Sequence, residues 1–266
     1  LIMLSGHPGN YTTLTDVTGR NIAALVQRST KIKSLPESLN CTRPQAGQLI
    51  DEGMLDPIAD GRSEAAGRTR KSINDQDIAR FIAALHACAR GVEEVPQGMV
   101  SIAKAAEKAK VSSIEVIHLV LGGFLQNVSR LREADGYAAI HVDPDELKVL
   151  KPKHLPGMSA SEAFGRLKLP KSSGWVLTHR EEHPRLRPII VEGKTGQHRF
   201  FRFEEEQVAA FASEYVTVVR VANAIGVEKK DVLKRLKKRR VKPVLGRSEL
   251  GLDLYRAADI PKLEPA

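Results

Sequence analysis

What the chain has little of narrows it first. Aromatic residues make up only 5% of it, and a single tryptophan is among them. A large β-sandwich core draws heavily on such side chains, so small helical modules with aliphatic cores are expected instead. Cysteine is equally scarce. Cys41 and Cys88 are too few for a disulfide framework and lack metal-ligand spacing, so they read as reduced thiols of a cytoplasmic protein. No apolar run approaches the roughly 20 residues that a membrane-spanning helix needs. The opening Leu1-Ile-Met-Leu has no basic stretch ahead of it, unlike a signal peptide, and with no initiator methionine it reads as a piece of something longer.

Motifs that carry chemistry are missing too. There is no P-loop, dinucleotide glycine fingerprint, G-x-S-x-G elbow or cluster of catalytic carboxylates. His179-Arg-Glu-Glu-His183 has the H-x-x-E-H form of an inverted zinc protease, but Pro184 follows at once. The stretch is expected to end a short helix and not to hold a metal. The reading is a protein without catalytic residues, cofactor or metal.

What is present is positive charge, placed unevenly. The formal net charge is +9 and the isoelectric point lies near 9.6. Val216–Ala266 holds 13 Lys and Arg against 6 Asp and Glu, so +7 of the +9 falls in the last fifth of the chain. An anionic partner is expected, and double-stranded DNA is the leading candidate.

Val218–Arg240 gives that charge a form. Val218, Val221, Ala222 and Ile225 recur at helical spacing before Gly226, and Val232, Leu233 and Leu236 do so after it. Two short amphipathic helices joined at a glycine are the pattern of a helix-turn-helix.

The pattern repeats. With Val227 as anchor, the same role falls to Cys41, Val111 and Leu169, at separations of 70, 58 and 58 residues. Nine, six and two residues before the anchors stand Ile32, Leu35, Leu39; Ile102, Ala105, Ala109; Ala160, Ala163, Leu167; and Val218, Val221, Ile225. All twelve are apolar, on one helix face. Beyond each second helix, a Gly-, Arg- and Lys-rich stretch leads to an apolar pair five residues apart: Ile73 and Ile78, Val142 and Leu147, Phe203 and Val208, Tyr255 and Ile260. The spacing predicts helix, turn, helix, β-hairpin wing and closing helix.

The expected fold is therefore mainly α with small β-hairpin wings: four tandem winged helix-turn-helix modules. The expected divisions are a lead-in helical segment over 1–30 and modules over 31–90, 91–153, 154–215 and 216–266. Gly91–Gly98 and Pro152–Gly157 are the expected joints.

In the last module the face opposite Val232, Leu233 and Leu236 carries Lys230, Lys234 and Lys238, flanked by Asp231, Arg235 and Lys237, with Lys229 as a further contact. Arg239, Arg240, Lys242 and Arg247 extend the charge into the wing. Such groups neutralise phosphates or donate to guanine. The other second helices are expected to present Arg43, Gln45 and Gln48; Ser112 and Ser113 with Glu115 and His118; and Lys171, Ser172 and Ser173. Arg199 and Arg202 flank the third wing as further contacts.

The strings Ala222–Val232 and Gly251–Ile260 resemble the excisionase and MerR-type winged helix-turn-helix. Several such units in one chain are similar to the C-terminal region of TniQ/TnsD-type transposition proteins, over Ile32–Leu263. The chain lacks that family's cysteine-histidine zinc clusters. The resemblance implies sequence-directed recognition of a transposition target site, with a transposition AAA+ ATPase or a transposase as protein partner. A transcription regulator or excisionase-like factor on the same fold, or a scaffold binding a recombinase or ATPase, are the alternative readings.

Overall fold

The computed structural model describes residues 2–5, 11–14, 28–58 and 72–260. The chain is mainly helical, with small and mostly antiparallel sheets of two to four strands. It folds as two compact units, Leu1–Leu150 with Gly193–His198, and Lys151–Glu192 with Arg199–Ala266.

In the first unit, β1 (Ile2–Ser5) and β2 (Tyr11–Leu14) pair antiparallel, Ile2 opposite Leu14. These are strands where a helical lead-in was expected; apolar positions from Val17 to Val26 lie outside the described residues. Then β3 (Ser29–Lys31) leads into α1 (Leu35–Leu39) and α2 (Arg43–Asp51), and β4 (Ser72–Asn74) returns to pair with β3 before α3 (Asp75–Ala87). The first Gly- and Arg-rich stretch lies outside the described residues. Next, β6 (Val100–Ser101) leads into α4 (Ile102–Ala109) and α5 (Ser113–Leu121), and β7 (Val128–Leu131) and β8 (Ile140–Val142) precede α6 (Pro144–His154). The Gly91–Gly98 segment is no plain joint. Its start lies in β5 (Arg90–Val92), which runs parallel to β7, and the sheet order is β5-β7-β8-β6.

The second unit repeats the order. There β9 (Met158–Ser159) is followed by α7 (Ala160–Leu167), α8 (Lys171–His179), β10 (Ile189–Glu192), β11 (Arg199–Phe203) and α9 (Glu205–Glu214). After them come β12 (Tyr215–Thr217), α10 (Val218–Ile225), α11 (Lys229–Lys238), α12 (Arg247–Leu250) and β13 (Leu254–Arg256), which pairs with β12. In the last repeat the closing helix is only a 3-10 turn, Ala257–Asp259.

One backbone device explains why the four repeats turn alike. The residue before each anchor has a left-handed backbone: Asn40 at φ 50°, Lys110 at 53°, Lys168 at 53° and Gly226 at 70°. Each anchor then donates its N–H to a carbonyl five residues back: Cys41 to Pro36, Val111 to Ala106, Leu169 to Phe164 and Val227 to Ala222, at 2.9–3.1 Å. This is the 6→1 bond that closes a helix C-terminus and redirects the chain. Thr42, Ser112 and Ser159 then cap helix starts through reciprocal bonds with Gln45, Glu115 and Glu162.

Burial follows the apolar spacing. Leu35, Leu39, Ile102, Ala105, Ala109, Ala160, Ala163, Leu167 and Val221 are all buried. In the second unit one core joins Phe164, Leu167, Leu177, Phe203 and Val208 to Leu245, Leu250 and Leu254 from the last repeat. A smaller one holds Val221, Ala222, Val232, Leu236 and Tyr255. Leu233, expected in that core, is only half-buried.

Candidate nucleic-acid interface

Helix α11 is held by two fully buried side chains, Val232 and Leu236, one turn apart. The arc facing away from them carries Lys230, Lys234, Lys237 and Lys238, all exposed. Lys229 and the residues after the helix, Arg239, Arg240 and Lys242, are exposed as well, while Arg235 is half-buried. From Lys229 to Lys242 there are nine basic residues and one acid, Asp231.

Only part of that charge is placed to steady the helix. Arg235, Lys237 and Lys238 in the last turn suit the negative end of its dipole, but Lys229 and Lys230 occupy the first two positions, at the positive end. Cations there oppose the helix by a few tenths of a kcal/mol each, up to about 1. Lys230 Nζ lies 2.8 Å from Glu228 Oε2, with both side chains at least 70% exposed. A pair that open to water is worth about 0–1 kcal/mol, so an incoming anion displaces the carboxylate readily. Arg247 Nε donates to Asp253 Oδ2 at 3.1 Å. A shallow groove of about 220 Å³, lined by Val218, Val219, Lys229, Leu233 and Arg247, leaves the start of α11 uncovered. An array of ammonium and guanidinium groups on an exposed helix face is suited to binding a polyanion.

The other three second helices are placed differently, which corrects several expected contacts. In the first unit α2 packs against α5. Gln45 is buried and its Oε1 accepts from the N–H and the hydroxyl of Thr42, both at 2.9 Å. The Tyr137 hydroxyl bonds both Ser113 and Gln45; burial of this phenol pushes its pKa up, partly offset by those bonds. Ser112 accepts from the Glu115 N–H as a helix cap, and Glu115 and His118, expected at the surface, are 9% and 6% exposed. Nearly every α5 residue from Ile114 to Val120 is buried, so that helix presents no reading face. The β7–β8 strand pair that follows is covered too, since β5 pairs along the edge of β7 and Arg132 Nη1 meets Glu93 Oε1 at 2.5 Å. Gln48 is half-buried, and Arg43 alone of the α2 candidates is exposed.

In the second unit Ser173 is 2% exposed and donates to the Leu250 carbonyl at 2.7 Å, which ties α8 to α12. Lys171 is half-buried and Ser172 exposed. Helix α8 ends at His179, so the His179–His183 motif does not lie on one helix. Arg202 is 4% exposed; its Nε donates to the Pro156 carbonyl and its Nη2 to that of Gly157, both at 2.9 Å, so it is a bracket inside the fold and not a wing contact. Arg199 remains exposed.

Sequence reasoning missed that Tyr137 bridges two of the candidate side chains. The apolar residues of α5, Ile114, Val116, Ile117, Leu119, Val120 and Leu121, were read at only three positions, yet they go round more of the helix than one face and were the signal that most of it is buried. Among the described residues no group of three or more His, Cys, Asp or Glu is placed to hold a metal ion, and no helix is long and apolar enough to cross a membrane. Comparison with protein-family models, with curated proteins and with solved structures returns no match.

Proposed function

We propose that the chain is a duplex DNA-binding protein made of four tandem winged helix-turn-helix repeats, with the fourth as its DNA contact. The observation that carries this is the exposed arc Lys230, Lys234, Lys237 and Lys238 on a helix anchored from behind by Val232 and Leu236. The recurrence of one left-handed turn before Cys41, Val111, Leu169 and Val227 supports the common origin of the repeats' geometry. In the other three repeats the second helix is largely engaged within its own unit, with Arg43 and Ser172 among the few candidate side chains left exposed there.

Within that reading the role is target-site selection in DNA transposition, with a transposition ATPase or transposase as protein partner. That step rests on the resemblance of Ala222–Val232 and Gly251–Ile260 to the excisionase and MerR-type unit and of the tandem arrangement to TniQ/TnsD-type proteins. Binding of a labelled duplex by the whole chain tests the core of the proposal. Affinity is expected to fall by orders of magnitude between about 50 and 200 mM salt. The combined variant Lys230→Gln, Lys234→Gln, Lys238→Gln is expected to lose roughly thirtyfold and to show a flatter salt slope. Equal affinity of variant and parent sinks the assignment of α11.

A further inference from the structure

We infer that α11 takes B-form duplex DNA of any sequence, anchoring on phosphates and leaving the bases unread. This rests on the assignment of α11 as the nucleic-acid contact and specifies what it binds.

Base readout is sharpest with side chains whose donors have a fixed pattern: Asn or Gln for adenine and the Arg fork for guanine, a base that lysine also reaches but without the fork's rigid geometry. Every exposed position of α11 is instead a lysine: Lys229, Lys230, Lys234, Lys237 and Lys238. An ammonium on a flexible stem is a point charge with rotatable donors, and it follows phosphate density more than base edges. The amide and hydroxyl groups that suit bases lie on other second helices, where Gln45 and Ser112 cap helix starts and Ser173 holds Leu250. At the leading end of α11 stands Glu228, bonded to Lys230, which offers no pattern that tells one base pair from another.

The same face excludes other nucleic acids. Single strands are held by aromatic rings on which bases stack. Between Val216 and Ile260 the one aromatic residue is Tyr255, and it is buried. An RNA duplex has a major groove too deep and narrow for a helix to enter. A helix about 10–12 Å across fits the roughly 12 Å major groove of B-form DNA, and its ten residues, about 15 Å long, pass about four to five phosphates of one strand. Counterion release then sets a salt slope of about −4 to −5.

The test uses the whole chain and the triple Lys→Gln variant at positions 230, 234 and 238. The probes are three DNA duplexes of equal length and different base composition, a thymidine single strand of that length and an RNA duplex. The expected result is DNA duplex affinities within about threefold of one another, at least about tenfold weaker binding of the single strand and the RNA duplex, and an equal loss on all DNA duplexes in the variant. A preference among DNA duplexes that persists in the variant fits the inference, since it places base reading off this helix. A preference of about tenfold or more that disappears in the variant overturns it while leaving α11 as the contact. Equal binding of the RNA duplex also overturns it, because the helix then does not enter a groove. Absence of binding to every probe overturns the assignment of α11 itself.

Discussion

The Ser173 hydroxyl donates a hydrogen bond to the main-chain carbonyl of Leu250 across 2.7 Å, in an environment that leaves Ser173 only 2% exposed. One short contact therefore decides what the third repeat's second helix faces. Its first turn holds α12 of the next repeat, not a polyanion. Ser173→Ala leaves the Leu250 carbonyl buried without its donor, which costs about 1–3 kcal/mol. The expected outcome is a lower urea midpoint with duplex affinity unchanged within about twofold. Trp175, the chain's only tryptophan, lies on α8, so its fluorescence reports this transition directly. A marked loss of affinity at unchanged stability is the result that returns Ser173 to the DNA interface.

Tyr137 plays the matching part in the first unit by bonding Ser113 and Gln45. Tyr137→Phe keeps the ring, 3% exposed, and removes only the hydroxyl. A loss of about 1 kcal/mol in the first unit is expected, read as faster hydrogen exchange of the α5 amides, with DNA affinity unmoved. The raised phenol pKa gives a second signature. Because the fold favours the neutral form, its contribution is complete below the ordinary tyrosine value near 10 and is lost as pH rises from there toward the folded value. The alkaline loss of α5 protection is expected to be shallower in the Phe variant.

The left-handed turns separate the repeats by residue type. Lys168 adopts φ 53° where the fourth repeat uses Gly226 at φ 70°. Left-handed backbone costs a side-chain-bearing residue about 1–2 kcal/mol, and glycine returns part of that through its flexible unfolded chain. Lys168→Gly is expected to stabilise the second unit by about 0.5 kcal/mol and Gly226→Ala to destabilise it by about 1 kcal/mol, measured by urea unfolding. The two shifts having the same sign is incompatible with the shared turn.

How much of this was legible follows from what each residue encodes alone. The twelve apolar positions carry the repeat because burial of one helix face is a local requirement, met fully at nine of them and only in part at Ile32, Val218 and Ile225. Gly226 announces its turn, but Asn40, Lys110 and Lys168 adopt the same backbone without a glycine, so three of the four turns showed only through the spacing around them. The basic arc of α11 was legible because nine bases in 14 residues depart from the mixed signs of an ordinary surface helix. Gln45, Ser113, Ser173 and Arg202 were misjudged for one reason. A polar side chain reads as exposed until its partner is known, and their partners, Thr42, Tyr137, Leu250 and the Pro156 and Gly157 carbonyls, mostly come from segments distant in sequence. The strand β5 was hidden likewise, since its pairing with β7 is a tertiary event and Arg90–Val92 has no strand pattern of its own.

His118 and His198 supply a final test. His118 Nδ1 and His198 Nε2 lie 3.1 Å apart within the first unit, so one ring donates to the other and the acceptor must be neutral. His198 is half-buried, and burial lowers its pKa below the ordinary 6.5. The fold thus favours the neutral ring. Its contribution is fully present above the unfolded value near 6.5 and is lost as pH falls from there through the lowered folded value. The same loop is fixed by the Lys194 N–H, which donates to the Gly122 carbonyl at 2.8 Å, so protonation is expected to loosen the loop and not to unfold the unit. Hydrogen exchange of the Lys194 amide is the direct readout. Its protection is expected to decline on acidification from pH 7 to about 5, and His198→Gln is expected to flatten that dependence. Protection that stays constant over this range in the parent chain rules out a neutral His198 ring as a tie of this loop.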